Sequence, residues 1–237
     1  MNRLVALALA AFTADVLIYY FTIESLRQWA ERRYEAEWWG IFAHYGLRAV
    51  SACLFGAAML HFKTVETREL GLGFRPFKED AVWTLRLVSL LVVAAGLYIG
   101  ISLGFCKIFD IDLSRWRFFE TDRDGGWTGY LVCSILAAPI VEEAVYRSLL
   151  TPALKAGYGP RGAIVAGALL FYVLHLVYGQ PWWMFHYFIA GLILTWAYLQ
   201  RGKLWICVLL HAGGNLMVVM DDALRDFAPG VYRSLVG

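Results

Sequence analysis

Four polar side chains in the apolar second half of this 237-residue sequence have the types and spacing for acid–base chemistry. They are Glu142 in LVCSILAAPIVEEAVYRSLL, His175 in FYVLHLVYG, and His211 and Asn215 in LLHAGGNLMVV. A carboxylate, two imidazoles and a carboxamide could together activate a water molecule and stabilise an oxyanion. A lone histidine in an apolar helix is more often a packing residue, so the hypothesis depends on the convergence of all three segments.

Glu142 differs from its neighbour Glu143 in its relation to Arg147. Glu143 and Arg147 are four residues apart with the acid first, which is the favourable order for an ion pair on one helix face. A purely structural role as a link between helices is an equal alternative for this pair. Glu142 points about 100° away from Glu143 and remains uncompensated unless another polar group meets it, so it is the candidate general base. Pro139, one turn earlier, predicts a kink that admits water near Glu142.

The other two segments also place pairs of residues one helical turn apart. Phe171 and His175 share one face of a helix, and His211 and Asn215 project together from another. Gly213 and Gly214, between His211 and Asn215, predict a close approach of two helices.

The elements that position these residues are predicted to be membrane-spanning helices. Hydrophobic residues make up 60% of the chain and charged residues 17%, against about 45–50% and about 25% in soluble domains. We expect an all-α, polytopic transmembrane helical bundle of about seven spans with interfacial amphipathic segments. The predicted spans are 4–22, 41–62, 81–104, 128–151, 161–179, 182–199 and 204–220, each long enough to cross or nearly cross a bilayer.

The chain is expected to form one integral membrane domain over 1–237. Residues 1–127 supply N-terminal spans and interfacial loops, and 128–220 form the motif-bearing core. The segments IESLRQWAERRYEAEWWG and CKIFDIDLSRWRFFETDRDGGW mix aromatic and charged residues and are predicted to lie at the membrane interface. The apolar start is interpreted as a retained span rather than a cleaved signal.

Charge and cysteine patterns exclude several other classes of protein. A net charge of +2 without a basic patch argues against a nucleic-acid partner. The four cysteines have no zinc-ligand spacing. The Gly179-Gln180-Pro181 connection carries no charge, whereas the loops before and after it along the chain carry basic residues: Lys155, Arg161, Arg201 and Lys203. This distribution favours a cytoplasmic position for those basic loops.

Other polar residues inside the predicted spans are interpreted as structural rather than functional. Interfacial snorkelling or hydrogen bonding between helices would explain each of them. His186 is the strongest exception because of its neighbours Trp182 and Trp183. The remaining members of this set are Asp15, His44, Arg48 and Arg86.

The ordered motifs EEAVYR (142–147), FYVLH (171–175) and HAGGN (211–215) resemble those of the CPBP family. This family comprises type II CAAX prenyl endopeptidases and bacteriocin-processing or bacteriocin-immunity membrane proteins. The resemblance covers about residues 128–220. It implies that Glu142 activates water, that His175 helps to hold it, and that His211 and Asn215 stabilise the oxyanion. Glu143, Arg147 and Phe171 would then be supporting residues.

The resemblance leaves metal dependence open, because such proteins have been described both as metalloproteases and as glutamate-type proteases. If zinc were bound, Glu142, His175 and His211 would be its ligands, but Glu142 could not then act as a free base. No His-Glu-x-x-His helix is present to supply both functions. We therefore expect no cofactor, with zinc as the alternative.

The predicted function is that of an intramembrane endopeptidase, a hydrolase of the CAAX-like glutamate type. Its substrate would be a membrane-associated peptide or protein that is prenylated, bears a leader, or ends in a C-terminal sorting tail. The compact length suggests a multi-pass protein of a bacterial or archaeal inner membrane. The alternatives are a non-catalytic bacteriocin-immunity or scaffold protein and, last, a proton-coupled transporter, for which no inverted repeat is apparent.

Overall fold

The computed structural model describes residues 3–30, 37–62, 66, 68–72, 77–108, 126–177, 185–228, 230, 232 and 234. These residues form helices and short connections, and no strand occurs among them, as the all-α prediction requires. The predicted interfacial loop 106–127 and the Gly179-Gln180-Pro181 connection lie largely outside the described residues. The helices are α1 (Arg3–Ala30), α2 (Glu37–His61), α3 (Phe77–Ile108), α4 (Gly126–Val132), α5 (Ala138–Glu143), α6 (Thr151–Val177), α7 (His186–Arg201) and α8 (Leu204–Phe227).

Two π-helical segments interrupt the helical run that carries the glutamates. They are Cys133–Ala137, between α4 and α5, and Ala144–Leu150, between α5 and α6. At the end of the first, the Ala138 N–H donates to the carbonyl of Cys133, five residues back. Pro139, which has no N–H, follows directly. The sequence predicted a kink here, and the structure has a widened π-helical turn, a feature frequent at functional sites.

The chain reverses direction within α6 at Gly159. This glycine has φ 69° and ψ 177°, and Pro160 begins the next helical stretch. The reversal brings the Phe171 ring to 5.3 Å from the ring of Tyr146. A straight helix would separate these two residues by roughly 37 Å. Gly159 therefore divides the predicted fourth and fifth spans.

Three stretches of the described residues are long and apolar enough to cross a membrane: Arg3–Thr22, Tyr130–Val177 and Leu204–Leu224. The prediction of about seven spans is not confirmed by these helices. With 16 residues, α7 is shorter than the roughly 20 that a full crossing needs. The apolar stretch of α2 is interrupted by His44 and Arg48, both buried in the protein.

The closest helix packing occurs between α6 and α7 rather than at the predicted glycines of α8. A methyl group on Gly191 would lie 2.7 Å from the Ala168 Cα, and one on Gly167 would lie 2.9 Å from the Thr195 hydroxyl oxygen. A methyl group on Gly214 would meet nothing within 4 Å, and one on Gly213 would only touch Val88 at ordinary contact distance. Among the described residues, the close approach that Gly213 and Gly214 would permit is therefore not used.

A short connection between α2 and α3 holds three other elements together. The Ser148 hydroxyl donates to the carbonyl of Leu70, and the Tyr198 hydroxyl donates to that of Glu69. The Leu204 N–H donates to the carbonyl of Gly71, which has φ 70° and no space for a side chain. These bonds fix one end of the bundle and orient α7 and α8 relative to the glutamate-bearing helix.

Candidate active site

Glu143 and Arg147 form the ion pair that their spacing predicts. The Arg147 Nε donates to Glu143 Oε2 at 2.8 Å, and both side chains are fully buried. The Arg147 Nη1 also donates to the Thr195 hydroxyl on α7 at 3.0 Å. The pair thus joins α5 to α7, and its charges are matched inside the protein.

Glu142 faces away from that pair, toward Arg48 and His211. One carboxylate oxygen lies 3.7 Å from the Arg48 Nη1, and the other lies 3.9 Å from the His211 Nε2. The sequence left Glu142 uncompensated unless another polar group met it, and Arg48 and His211 are such groups. Its cation comes from α2, about 90 residues earlier in the chain, at a position for which spacing within a helix carries no information.

His211 links the two neighbouring glutamates. Its Nδ1 lies 2.9 Å from Glu143 Oε1, so this carboxylate accepts hydrogen bonds from both His211 and Arg147. Since a carboxylate only accepts, the Nδ1 carries a hydrogen and the Nε2 is directed toward Glu142. The side chain is 9% exposed, which leaves the imidazole buried among charges rather than in apolar packing.

His175 is oriented by its own helix and by an aromatic side chain from α7. Its Nδ1 lies 2.8 Å from the carbonyl of Phe171, and because a carbonyl only accepts, this nitrogen is the donor. The Tyr187 ring stacks on the imidazole at a centroid distance of 3.8 Å and an interplanar angle of 21°. Tyr187 was not predicted from the sequence, because an aromatic residue near the start of an apolar helix carries no distinctive signal.

Phe171 lies at the centre of the polar residues. Its ring is 4.6 Å from the His175 ring and 5.8 Å, edge to face, from the His211 ring. The Arg147 guanidinium lies over the ring at 5.2 Å. Phe171 is 2% exposed and therefore separates the imidazoles while supporting the cation by a cation–π contact.

Asn215 is bonded to the first π-helical segment. Its Nδ2 donates to the carbonyl of Ser134 at 2.8 Å. In a π-helical register the partner of this carbonyl would be the N–H of residue 139, and that residue is proline. Asn215 therefore supplies the hydrogen bond that Pro139 cannot make, and one further N–H of its amide remains for another acceptor.

The five residues for which the sequence favoured a structural role have different surroundings. Asp15 and His44 form bonds between helices as expected, Asp15 with Arg48 and His44 with the Thr22 hydroxyl. Arg86 is exposed on α3. His186 lies 4.2 Å, ring to ring, from Tyr187, while Trp182 and Trp183 lie outside the described residues. Arg48 contacts the site directly, through Glu142.

A zinc ion at this site would need Glu142, His175 and His211 as joint ligands. Among the residues that the structure describes, no three His, Cys, Asp or Glu side chains come together in a way that could hold a metal ion. Glu142 and His211 approach to 3.9 Å, but they do not form a three-ligand set with His175. The Arg48 guanidinium next to Glu142 also adds a positive charge that disfavours a cation there.

These features define an integral membrane protein of the helical class with a buried carboxylate–imidazole site. Residues 124–217, less than half of the chain, match the family model described as type II CAAX prenyl endopeptidase, Rce1-like. The resemblance seen in the three motifs is thus supported over this segment of the chain, which is similar to the CAAX-type (CPBP) membrane proteases. This similarity indicates a peptidase that acts on a membrane-associated protein. No curated protein and no solved structure matches the chain.

Proposed function

We propose that this protein is an intramembrane endopeptidase that cleaves near the C-terminus or leader of a membrane-associated substrate, with Glu142 as the general base and without a metal ion. The observation that carries the proposal is the position of Glu142 between Arg48 and His211. The carboxylate is buried yet faces two nitrogen groups that it does not bond directly. A reacting water there would have an acceptor next to it in a site of low dielectric constant.

In the proposed reaction the Glu142 carboxylate removes a proton from water while the water oxygen attacks the peptide carbonyl carbon. The carbonyl π electrons move to its oxygen, which becomes the oxyanion of a tetrahedral intermediate. When the intermediate collapses, the carbon–nitrogen bond breaks and the leaving amine takes the proton from Glu142. The products are a carboxylic acid and an amine, and Glu142 returns to its starting form.

The two histidines have distinct roles in this proposal. Since the Nδ1 of His175 donates to the Phe171 carbonyl, the Nε2 of the neutral ring is an acceptor that can hold the attacking water. His211 would need a second hydrogen, on Nε2, to donate to the oxyanion. The charges around the site support this doubly protonated form of His211, because carboxylates outnumber guanidinium groups there. The carboxylates are Asp15, Glu142 and Glu143, and the guanidinium groups are those of Arg48 and Arg147.

The test is Glu142→Gln, assayed in proteoliposomes with an internally quenched, farnesylated CAAX peptide and with a leader peptide bearing the same fluorophores. Glutamine keeps the shape and removes the base, so kcat should fall at least about 1,000-fold, the upper part of the range for general-base catalysis. The matched control is Asp222→Asn, which replaces another buried carboxylate, bonded to the Tyr130 hydroxyl at 2.8 Å, and should cleave normally.

Two results would contradict the proposal. Cleavage retained by a folded Glu142→Gln variant would remove Glu142 as the base. Cleavage by the wild type that is lost with a chelator and restored by zinc would overturn the metal-free mechanism. If the wild type cleaves neither peptide and Glu142→Gln also lowers the Tm, the non-catalytic alternative replaces the enzyme.

A further inference from the structure

A buried ion pair between α1 and α2 forms part of the wall around Glu142. The Arg48 Nε donates to Asp15 Oδ1 at 2.7 Å, and its Nη2 donates to Asp15 Oδ2 at 2.9 Å. Each side chain is 1% exposed. Two parallel hydrogen bonds fix the plane of a guanidinium as well as its position.

The third nitrogen of Arg48 is directed at the site. Because Asp15 occupies Nε and Nη2, the orientation of Nη1 is determined, and it lies 3.7 Å from Glu142 Oε1. A pair that served only to join α1 and α2 would need no such contact. Asp15 and Arg48 lie outside the segment 124–217 that matches the family model.

We propose that Arg48, oriented by Asp15, is a positioning residue that holds the Glu142 carboxylate in its reactive orientation. This inference rests on the proposed role of Glu142 as the base. Arg48 draws one carboxylate oxygen toward α2, and the other oxygen then faces the His211 Nε2. Without Arg48, Glu142 would be a buried carboxylate close to other carboxylates with no guanidinium facing it, an unfavourable arrangement for a charged base.

The kinetic test compares Arg48→Met, which keeps the length and removes the charge, with Arg48→Lys, which keeps the charge but cannot bond Asp15 bidentately. With the farnesylated peptide, Arg48→Met should lower kcat about 100-fold with KM within about threefold, as for the loss of a preorganised electrostatic contact. Arg48→Lys should recover part of that loss. Arg201→Met is the matched control, since Arg201 lies over the Trp83 ring away from Glu142.

A raised KM with unchanged kcat in Arg48→Met would assign Arg48 to substrate binding and overturn the inference. Unchanged kinetics in both Arg48 variants would do the same. If Arg48→Met fails to fold, Arg48→Lys and Asp15→Asn give the comparison, because both weaken the orientation of the guanidinium while keeping its surroundings polar.

A second measurement does not depend on any substrate. Thermal unfolding of Arg48→Met, Glu142→Gln and the double variant in detergent forms a double-mutant cycle. If Arg48 acts on Glu142, the Tm shift of the double variant should be smaller than the sum of the single shifts. Additive shifts would contradict the inference. A wild type that cleaves neither peptide would instead refute the proposed function, and the cycle would still decide whether the two side chains interact.

Discussion

The polar residues of the site are arranged in the same way. One part of each side chain is hydrogen-bonded to a neighbouring residue, and another part faces Glu142 or its surroundings. His211 uses Nδ1 to bind Glu143 and turns Nε2 toward Glu142. Arg48 uses two nitrogens to bind Asp15 and turns the third to the same carboxylate. His175 is anchored through Nδ1 to a backbone carbonyl. Anchoring of this kind fixes orientation before a substrate binds, which reduces the reorganisation needed during the reaction.

Tyr187 is expected to matter through its ring rather than its hydroxyl. The ring stacks on His175 at 3.8 Å, and such aromatic contacts contribute about 0.5–1.5 kcal/mol beyond area burial. Tyr187→Leu should therefore lower kcat up to about tenfold, since 1.36 kcal/mol corresponds to a factor of ten in rate. Tyr187→Phe, which keeps the ring, should remain within about twofold by the same contact estimate. Steady-state kinetics with the farnesylated peptide measure both.

Equal loss of activity in Tyr187→Phe and Tyr187→Leu would show that the hydroxyl, not the stacking, is required. No change in either variant would mean that His175 is held well enough by the Phe171 carbonyl alone.

At the scale of elements, the first π-helical segment and α8 depend on each other through one hydrogen bond. Asn215 donates to the Ser134 carbonyl, whose π-register partner would be residue 139. Asn215→Leu should lower the free energy of unfolding by about 1 kcal/mol, the lower end of the cost of a buried polar group left without its partner, because this hydrogen bond is part-buried. In a Pro139→Ala background the restored N–H can donate instead, so the same substitution should cost less. Unfolding in detergent of the four proteins measures the difference.

The same four proteins separate the structural and catalytic roles of Asn215. If Asn215 also stabilises the oxyanion, Pro139→Ala should restore stability to Asn215→Leu without restoring cleavage. Recovery of both would assign Asn215 a purely structural role. An equal stability cost in both backgrounds would show that residue 139 does not compete for the Ser134 carbonyl.

The sequence predicted which segments are helical better than it predicted how those helices pack against each other. Apolar blocks identify helices because burial and length are local properties, and the Glu143–Arg147 pair follows from spacing along one helix. Neither π-helical segment was predicted; the first depends on how Pro139 and Asn215 share backbone groups across two helices. The close approach of α6 and α7 at Gly167 and Gly191 was not predicted either. It depends on which residue of the other helix lies against each glycine, and a single sequence does not give that.

At the scale of the whole molecule, the site joins the two halves of the chain. The motifs that identify the family all lie after residue 128, and the family match begins at residue 124. The guanidinium that faces Glu142 comes from α2 and is oriented by a carboxylate of α1. A single sequence cannot reveal such a contact, because Arg48 and Glu142 belong to separate helices with no shared spacing. Substitutions in the first 60 residues should therefore affect catalysis as well as folding.

The reversal at Gly159 separates two helical stretches, and labelling can test whether the second of them crosses the membrane. If 160–177 crosses the bilayer, residues before and after it lie on opposite sides. In a background without Cys53, Cys106, Cys133 and Cys207, a membrane-impermeant maleimide should label Lys155→Cys from one side of sealed vesicles and Gln180→Cys only from the other. Arg68→Cys should react from the same side as Lys155→Cys, because the connection that contains Arg68 is bonded to Ser148 and Leu204. Labelling of Lys155→Cys and Gln180→Cys from one side would contradict the crossing and remove the fifth span from the predicted seven.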